Sequence, residues 1–150
     1  MIERVRKAGA RIMLISDGDV SGVIATTNAE SGVDIYMGSG GAPEGVLAAA
    51  ALRCIGGQFQ GRLIFRNDDE RGRAERIGIT DFDRKYSLHE LASGDVMFAA
   101  TGVTSGSMLA GVRREGSGVR TESLVMRSKT GTVRTLDTFH NFVRKSMFDD

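Results

Sequence analysis

The chain has 150 residues, of which 41% are hydrophobic and 26% charged. One domain of ~150 residues is the expectation for this length, and such a domain buries a core without disulfides or a structural metal. The composition excludes an intrinsically disordered chain, and no Gly-X-Y period runs through the 20 glycines, which excludes a collagen-like repeat. The formal charge of +1, from 20 basic and 19 acidic residues, gives no support to a nucleic-acid-binding protein.

Cysteine and hydrophobic patterning narrow the class further. Cys54 is the only cysteine, which excludes a disulfide scaffold and a cysteine-based zinc site. The first residues contain no apolar stretch of the secretory type, and the longest apolar run, residues 46–52, is far too short to span a bilayer. We therefore predict a cytoplasmic protein that binds neither nucleic acid nor a membrane.

The first third of the chain alternates strands and helices. A short helix over residues 1–9 is followed by two apolar runs that are typical of buried strands, each leading into a helix. Pro43 at a helix start and Gly56 after its end mark the last of these elements. The predicted order is strand 11–16, helix 20–27, strand 33–37 and helix 43–55. This order predicts an α/β fold with parallel strands and right-handed crossovers.

After a stretch of mixed strands and helices over residues 59–100, the rest of the chain is predicted to form antiparallel strands. Residues 67–76 are charged and aperiodic, which predicts a solvated loop or an exposed helix. Three later segments alternate apolar and polar residues and are separated by glycine turns, a pattern typical of antiparallel strands. The predicted elements are strand 59–65, helix 81–93, strand 95–100, and strands 112–114, 119–127 and 132–139, with a loose tail from residue 141. No linker interrupts this order, so we predict one domain over residues 1–150.

The loop over residues 38–45, Gly-Ser-Gly-Gly-Ala-Pro-Glu-Gly, is the sharpest motif. It lies between a predicted strand and a helix start, where free N–H groups and the helix dipole suit a phosphate. A P-loop would need Gly-Lys-Ser/Thr, and a Rossmann turn would need a third glycine where Pro43 stands and an acidic residue about 20 positions later. Neither is present, which disfavours a nucleotide-binding domain. A tight turn ahead of a helix remains an equal alternative.

Glu44 favours a metal-assisted form of phosphate chemistry. A carboxylate in the first helical turn would repel a phosphate bound there, unless a divalent cation lies between the two. The alternative is that Glu44 only complements the positive end of the helix dipole.

Asp17-Gly18-Asp19 is the second candidate site, at the carboxyl end of the first predicted strand. Ligands of open α/β sheets bind at this end of the strands, and two carboxylates there suit a metal or sugar hydroxyls. Asn28 stands where a calcium-binding EF-hand loop needs Glu, so that motif is rejected. An Asp that caps a helix is the favoured alternative on spacing alone.

Other motifs have simpler interpretations. The small residues from Thr101 to Gly106 either line a site or turn the chain, and turning the chain is the commoner role. The basic residues on the C-terminal strands are typical of exposed strand faces. Cys54 is expected to be a small core residue. The two histidines, His89 and His140, show no partner motif for a catalytic triad.

Taken in order, several segments resemble one family, the class II (GlpX-type) fructose-1,6-bisphosphatases. The resemblance covers nearly the whole chain and is most specific in the Gly-Gly-Ala-Pro-Glu-Gly block. It matches the C-terminal half of such proteins, whose cyanobacterial members also act on sedoheptulose-1,7-bisphosphate. The segments that carry it are Ala-Gly-Ala-Arg at 8–11, Ser-Asp-Gly-Asp-Val at 16–20, residues 36–46, Gly-Gln-Phe-Gln-Gly-Arg-Leu at 57–63, residues 94–104 and Ser-Leu-Val-Met-Arg-Ser at 123–128.

The resemblance implies a layered α/β sandwich of the lithium-sensitive sugar phosphatase type, present here as its C-terminal half. It implies metal-dependent hydrolysis of the 1-phosphate of fructose-1,6-bisphosphate, in gluconeogenesis or the Calvin cycle, with Mg²⁺ or Mn²⁺ as cofactor. By the same resemblance Glu44 is a metal ligand, and Asp17, Gly18, Asp19 and Gly41 bind the sugar bisphosphate.

Members of that family are about twice as long, and most of their metal ligands lie in the other half. We therefore expect the isolated chain to be inactive or nearly so, and to form a homo-oligomer or to pair with an N-terminal half. The alternative is a non-catalytic module that binds a sugar phosphate or a partner chain. Co-expression with an N-terminal half separates the two, because it restores turnover only in the first case.

Overall fold

Residues 1–144 are described by a computed structural model of the chain. Their helices are α1 (Ile2–Lys7), α2 (Asp19–Ala25), α3 (Ala42–Ile55), α4 (Asp68–Arg76) and α5 (Leu88–Leu91), with 3₁₀ turns at Ala29–Ser31 and Phe142–Arg144. Their strands are β1 (Gln60–Arg62), β2 (Lys85–Ser87), β3 (Met97–Thr101), β4 (Arg113–Glu115), β5 (Gly118–Arg127) and β6 (Thr132–Asn141).

The larger sheet is built around β5. It pairs antiparallel with β6 along its full length, from Gly118 opposite Asn141 to Arg127 opposite Thr132. Its other edge is shared by β3 and β4, which pair with opposite ends of β5. A separate two-stranded antiparallel ribbon joins β1 and β2. Every strand pair in the described part of the chain is therefore antiparallel.

Helix α3 lies between the larger sheet on one side and helices α2 and α5 on the other. It begins with Pro43 in its first turn and ends at Gly56, whose φ of 95° strongly favours glycine. Most of its buried side chains are small, and three of them are alanines with almost no exposure. Neighbouring elements therefore approach the helix backbone closely. The buried set is Ala48, Ala49, Ala51, Leu52 and Cys54.

Two apolar clusters meet at α3. Ala51 and Cys54 pack with Phe98, Leu124 and Met126 of the sheet. On the other side, Ala48 and Leu52 pack with Val23 of α2, and Tyr36, Phe59 and Leu88 lie against this second cluster. The prediction that Cys54 is a core residue is confirmed, since its thiol is buried and contacts the carbonyl of Val96. Together the clusters fix α3 relative to α2 and the sheet.

The α/β class is confirmed, and so are the helices predicted after residues 19 and 42 and the C-terminal antiparallel strands. Of the two alternatives for residues 67–76, the exposed helix is right, since α4 covers Asp68–Arg76. Asn67 caps this helix by accepting a hydrogen bond from the N–H of Glu70. The strand predicted at 59–65 is shorter, and the helix predicted at 81–93 is divided between β2 and α5.

The predicted parallel strands at residues 11–16 and 33–37 are wrong. Both segments carry no strand assignment, and their large side chains are mostly exposed instead of buried. A strand needs a neighbour to pair its N–H and C=O groups. No part of residues 1–144 supplies one to these segments. The tail was also predicted too early, since residue 141 ends β6 and a 3₁₀ turn follows; residues 145–150 lie outside the described residues.

We predict that Leu52→Ala lowers the free energy of unfolding by about 2–5 kcal/mol, because it opens a cavity where two helices meet. Leu52 is 2% exposed. Leu47→Ala is the matched control, since Leu47 lies on the same helix and is 51% exposed. Urea unfolding followed by circular dichroism measures both variants, and equal losses would contradict this account of the core.

Candidate functional site

The two acidic motifs meet around Gly40. Tyr36 Oη donates a hydrogen bond to Asp19 Oδ1 at 2.7 Å, which holds this carboxylate toward the loop ahead of α3. A methyl group added at Gly40 would overlap the other Asp19 oxygen and lie 3.2 Å from Glu44 Oε2. Asp19 and Glu44, 25 positions apart in the chain, therefore border the same small space, which only glycine leaves open.

Glu44 also stabilises the start of α3. Its Oε2 accepts a hydrogen bond from the N–H of Gly41 at 2.8 Å, as in a capping box. The alternative that Glu44 complements the positive end of the helix dipole is compatible with this position in the first turn, and the hydrogen bond to Gly41 adds a capping role that the sequence did not predict. Gly41 donates its N–H to Glu44, and a methyl group at Gly41 would lie 3.1 Å from that same Glu44 oxygen. Gly41 thus contributes close backbone approach to the site.

Asp17 and Gly18 form the turn that leads into α2. Gly18 adopts a φ of 83°, which favours glycine, and it is the N-cap residue of the helix. Its N–H donates to Asp17 Oδ1 and its carbonyl accepts from the Ser21 hydroxyl, both at 2.7 Å. The alternative of an aspartate as N-cap is wrong, because Gly18 fills that position. Asp19 begins the helix, where its charge complements the dipole.

Tyr36 experiences the negative charge of the site directly. Partial burial, the hydrogen bond to Asp19 and the charges of Asp19 and Glu44 together raise the pKa of Tyr36 to about 12. The phenol therefore stays protonated and keeps donating at any physiological pH.

Tyr36 and Gly40 are not among the site residues that the sequence predicts. The sequence signal for Tyr36 is a tyrosine at the end of an apolar run, just ahead of a glycine turn. Its partner lies 17 positions earlier, and no local spacing rule connects the two. The steric role of Gly40 depends on where Asp19 and Glu44 lie, which the loop sequence alone does not determine.

The carboxylate oxygens of the site are ligands of the type that hard cations bind. Asp19 and Glu44 present carboxylate oxygens, the ligands that Mg²⁺ and Mn²⁺ take in proteins. Within residues 1–144, however, no three or more His, Cys, Asp or Glu side chains gather in a way that could hold a metal ion. Asp19 and Glu44 are therefore the residues of this site that could contribute ligands to a metal ion, and they are two carboxylates only.

The other sequence candidates have structural roles. The segment from Thr101 to Gly106 enters a loop that closes on itself, with Gly106 N–H bonded to the carbonyl of Leu109 and Gly102 packed against the Ala110 backbone. Arg120 on β5 forms ion pairs with Glu115 and Asp137. These observations favour chain turning and strand-face pairing for the two features.

Shallow depressions elsewhere on the surface do not border the carboxylates. One is lined by Gln60, Gly61, Arg62 and Lys85, and another by residues between Gly78 and Tyr86. Neither contains a pair of acidic side chains. At the Asp19–Glu44 space, by contrast, two carboxylates meet at the starts of two helices. Among the described residues no helix combines the length and apolarity needed to cross a bilayer.

The fold and site define an α/β protein with an acidic, glycine-lined site between two helix starts. The profile of the family described as bacterial fructose-1,6-bisphosphatase, glpX-encoded, matches residues 1–140. The chain belongs to this family, which confirms the resemblance seen in its sequence.

Curated relatives agree with this assignment. A protein from Synechococcus elongatus named D-fructose 1,6-bisphosphatase class 2/sedoheptulose 1,7-bisphosphatase is 46% identical over an alignment that covers 100% of this chain and 46% of the relative. A protein of the same name from Microcystis aeruginosa is 45% identical over 96% of this chain and 46% of its own length. The chain therefore spans less than half the length of these relatives.

We predict that Tyr36→Phe reduces the loss of stability at alkaline pH. The folded-state pKa of Tyr36, about 12, exceeds its ordinary value of 10.0. The contribution of the protonated phenol is therefore complete below pH 10 and is lost as the pH rises through about 12. Urea unfolding at pH 8 and pH 11 should show a smaller decrease for Tyr36→Phe than for the wild type. The control, Tyr86→Phe, removes the other tyrosine and should follow the wild type; a decrease in Tyr36→Phe equal to that of the wild type would contradict the prediction.

Proposed function

We propose that this chain forms part of a class 2 fructose-1,6-bisphosphatase that hydrolyses the 1-phosphate of fructose-1,6-bisphosphate, with sedoheptulose-1,7-bisphosphate as a second substrate. The observation that supports this most is the convergence of Asp19 and Glu44 around Gly40, in a chain of this family. We further propose that the chain corresponds to the C-terminal half of such an enzyme and acts in the cytoplasm.

In this proposal Glu44 holds a Mg²⁺ or Mn²⁺ ion with its carboxylate, whose Oε2 borders the space beside Gly40 and also accepts from the Gly41 N–H. When bound, the ion would neutralise charge between this carboxylate and the substrate phosphate and polarise the phosphoryl group. Asp17 and Asp19 accept hydrogen bonds from sugar hydroxyls, while the left-handed turn at Gly18 presents them together. Gly40 and Gly41 let the sugar bisphosphate approach the backbone beside Glu44.

Tyr36 orients Asp19 in this arrangement. Its hydrogen bond occupies Oδ1 and leaves Oδ2 directed at the space beside Gly40. The Tyr36 side chain packs against the cluster of Val23, Ala48 and Leu52, so packing between the helices holds the tyrosine in the position from which it orients Asp19.

A second function is favoured by the small number of acidic groups at the site. Two carboxylates do not complete a two-metal phosphatase centre, so a module that binds sugar phosphate without turnover is the alternative. Calorimetry with fructose-1,6-bisphosphate distinguishes them: binding without turnover, even after addition of the missing half, supports the alternative.

We predict that the isolated chain releases no phosphate from fructose-1,6-bisphosphate with Mg²⁺ or Mn²⁺. Fusion behind the N-terminal half of the Synechococcus elongatus relative should restore release, because the remaining ligands are then present. In the fusion, Glu44→Gln should lower kcat by about 100-fold or more, since loss of outer-shell partners alone reaches that range. The amide oxygen of Gln still accepts from Gly41, so the helix cap is retained.

Glu30→Gln is the control for charge alone, because Glu30 is an exposed acidic residue in a 3₁₀ turn outside the site. It should leave phosphate release unchanged. Family-like turnover by the isolated chain, lost on Glu44→Ala, would overturn the prediction that the chain is inactive alone.

We predict that Gly40→Ala in the fusion raises KM for fructose-1,6-bisphosphate by about 10-fold or more, because the methyl group displaces Asp19 and costs about one hydrogen bond, near 1.4 kcal/mol. Gly45→Ala is the matched control. It adds the same methyl group one turn into α3, where nothing lies within 4 Å. The control should keep its KM and gain up to about 1 kcal/mol of stability from helix propensity. Equal KM values for the two variants would exclude the proposed role of Gly40.

A further inference from the structure

Two apolar segments, residues 11–16 and 33–37, lead into the site and are largely uncovered. In the first, Met13, Leu14 and Ile15 are 74%, 68% and 46% exposed. In the second, Ile35 and Met37 are 65% and 46% exposed. Successive side chains of an extended chain point to opposite faces, so three exposed neighbours in a row mean that both faces of the first segment are open.

The segments share one support. A methyl group at Gly22 of α2 would lie 2.9 Å from the Tyr36 ring and 3.0 Å from Ile15 Cδ1. Both segments therefore rest on the same point of α2, and they end at Asp17 and Gly38, where the site begins. Whatever covers the segments must also lie beside the site.

The backbone of the two segments is almost unpaired within residues 1–144; the exception is Val33, whose N–H donates to Ser31 Oγ at 3.1 Å. Within residues 1–144, no backbone–backbone hydrogen bond links either segment to another part of the chain. Unpaired extended backbone beside exposed apolar side chains is the feature that strand addition uses, since main-chain bonds supply affinity and alternate side chains fill pockets. An exposed apolar surface of this kind marks an interaction site.

We propose that the two apolar segments are the docking edge for a strand of the other half of a class 2 chain, together with the layers that flank that strand. This rests on the proposed function. The relatives are more than twice the length of this chain, so they carry a segment of sufficient size to occupy the edge.

The strand must come with further structure, because one added strand pairs backbone and leaves the side chains above and below it open. Met13, Leu14 and Ile15 need cover on the two faces of the segment. The occupant is thus a strand inside a folded half.

The test compares amide hydrogen exchange in the isolated chain and in the fusion with the N-terminal half of the Synechococcus elongatus relative. We expect exchange over residues 11–16 and 33–37 to slow by about 100-fold or more in the fusion, as it does for paired strands. Leu14→Asp should abolish this protection. Its matched control, Ile77→Asp, should not, because Ile77 is 76% exposed and lies outside both segments. Neither variant should alter unfolding of the isolated chain, since both side chains are exposed.

Unchanged exchange in the fusion would overturn the inference, even if the fusion hydrolyses fructose-1,6-bisphosphate. Protection that appears in the isolated chain with rising concentration, with a dimer in sedimentation, would assign the edge to a second copy and also overturn it. Protection in a fusion that lacks phosphatase activity would support the docking edge while the proposed function fails.

Discussion

The close approach of α3 to its neighbours is the constraint on which the rest of the structure depends. Alanines at 48, 49 and 51 leave so little side chain that the sheet and the α2–α5 side both reach the helix backbone. Leu52 and Cys54 fill the remaining volume. Because α3 is held on two sides, its first turn is fixed in space, and Glu44 in that turn is fixed with it.

The site follows from this packing. Helix α2 packs against α3 through Val23, and this brings the turn at Asp17–Asp19 beside the loop ahead of α3. Tyr36 packs against the same cluster and holds Asp19 by a hydrogen bond. Two negative charges bordering one glycine repel each other, and a divalent cation or a donor-rich ligand relieves that repulsion. The apolar core and the acidic site are thus two consequences of one helix pair.

The two exposed apolar segments show that local sequence favours a strand, whereas forming it requires a tertiary partner. Residues 11–16 and 33–37 have the composition of buried strands, yet they are exposed because strand pairing is a long-range interaction that needs a second strand. The chain spans less than half of its relatives, and their remaining length is the material that the docking-edge proposal uses. In the docking-edge proposal, the apolar pattern of these segments therefore reports what they bury once the other half is bound.

The sequence by itself determined the helices whose ends are coded locally, such as α3 between Pro43 and Gly56, and the β5–β6 hairpin with its turn at Gly131, because capping and turn chemistry act over a few residues. It also determined the family, and it identified Glu44, Asp17, Gly18, Asp19 and Gly41 as candidates. Only the tertiary structure decided that Asp19 and Glu44 meet at Gly40, that Tyr36 holds Asp19, and that all described strand pairs are antiparallel. Contacts between residues far apart in the chain depend on how α2, α3 and the sheet pack, and no short-range spacing encodes that packing.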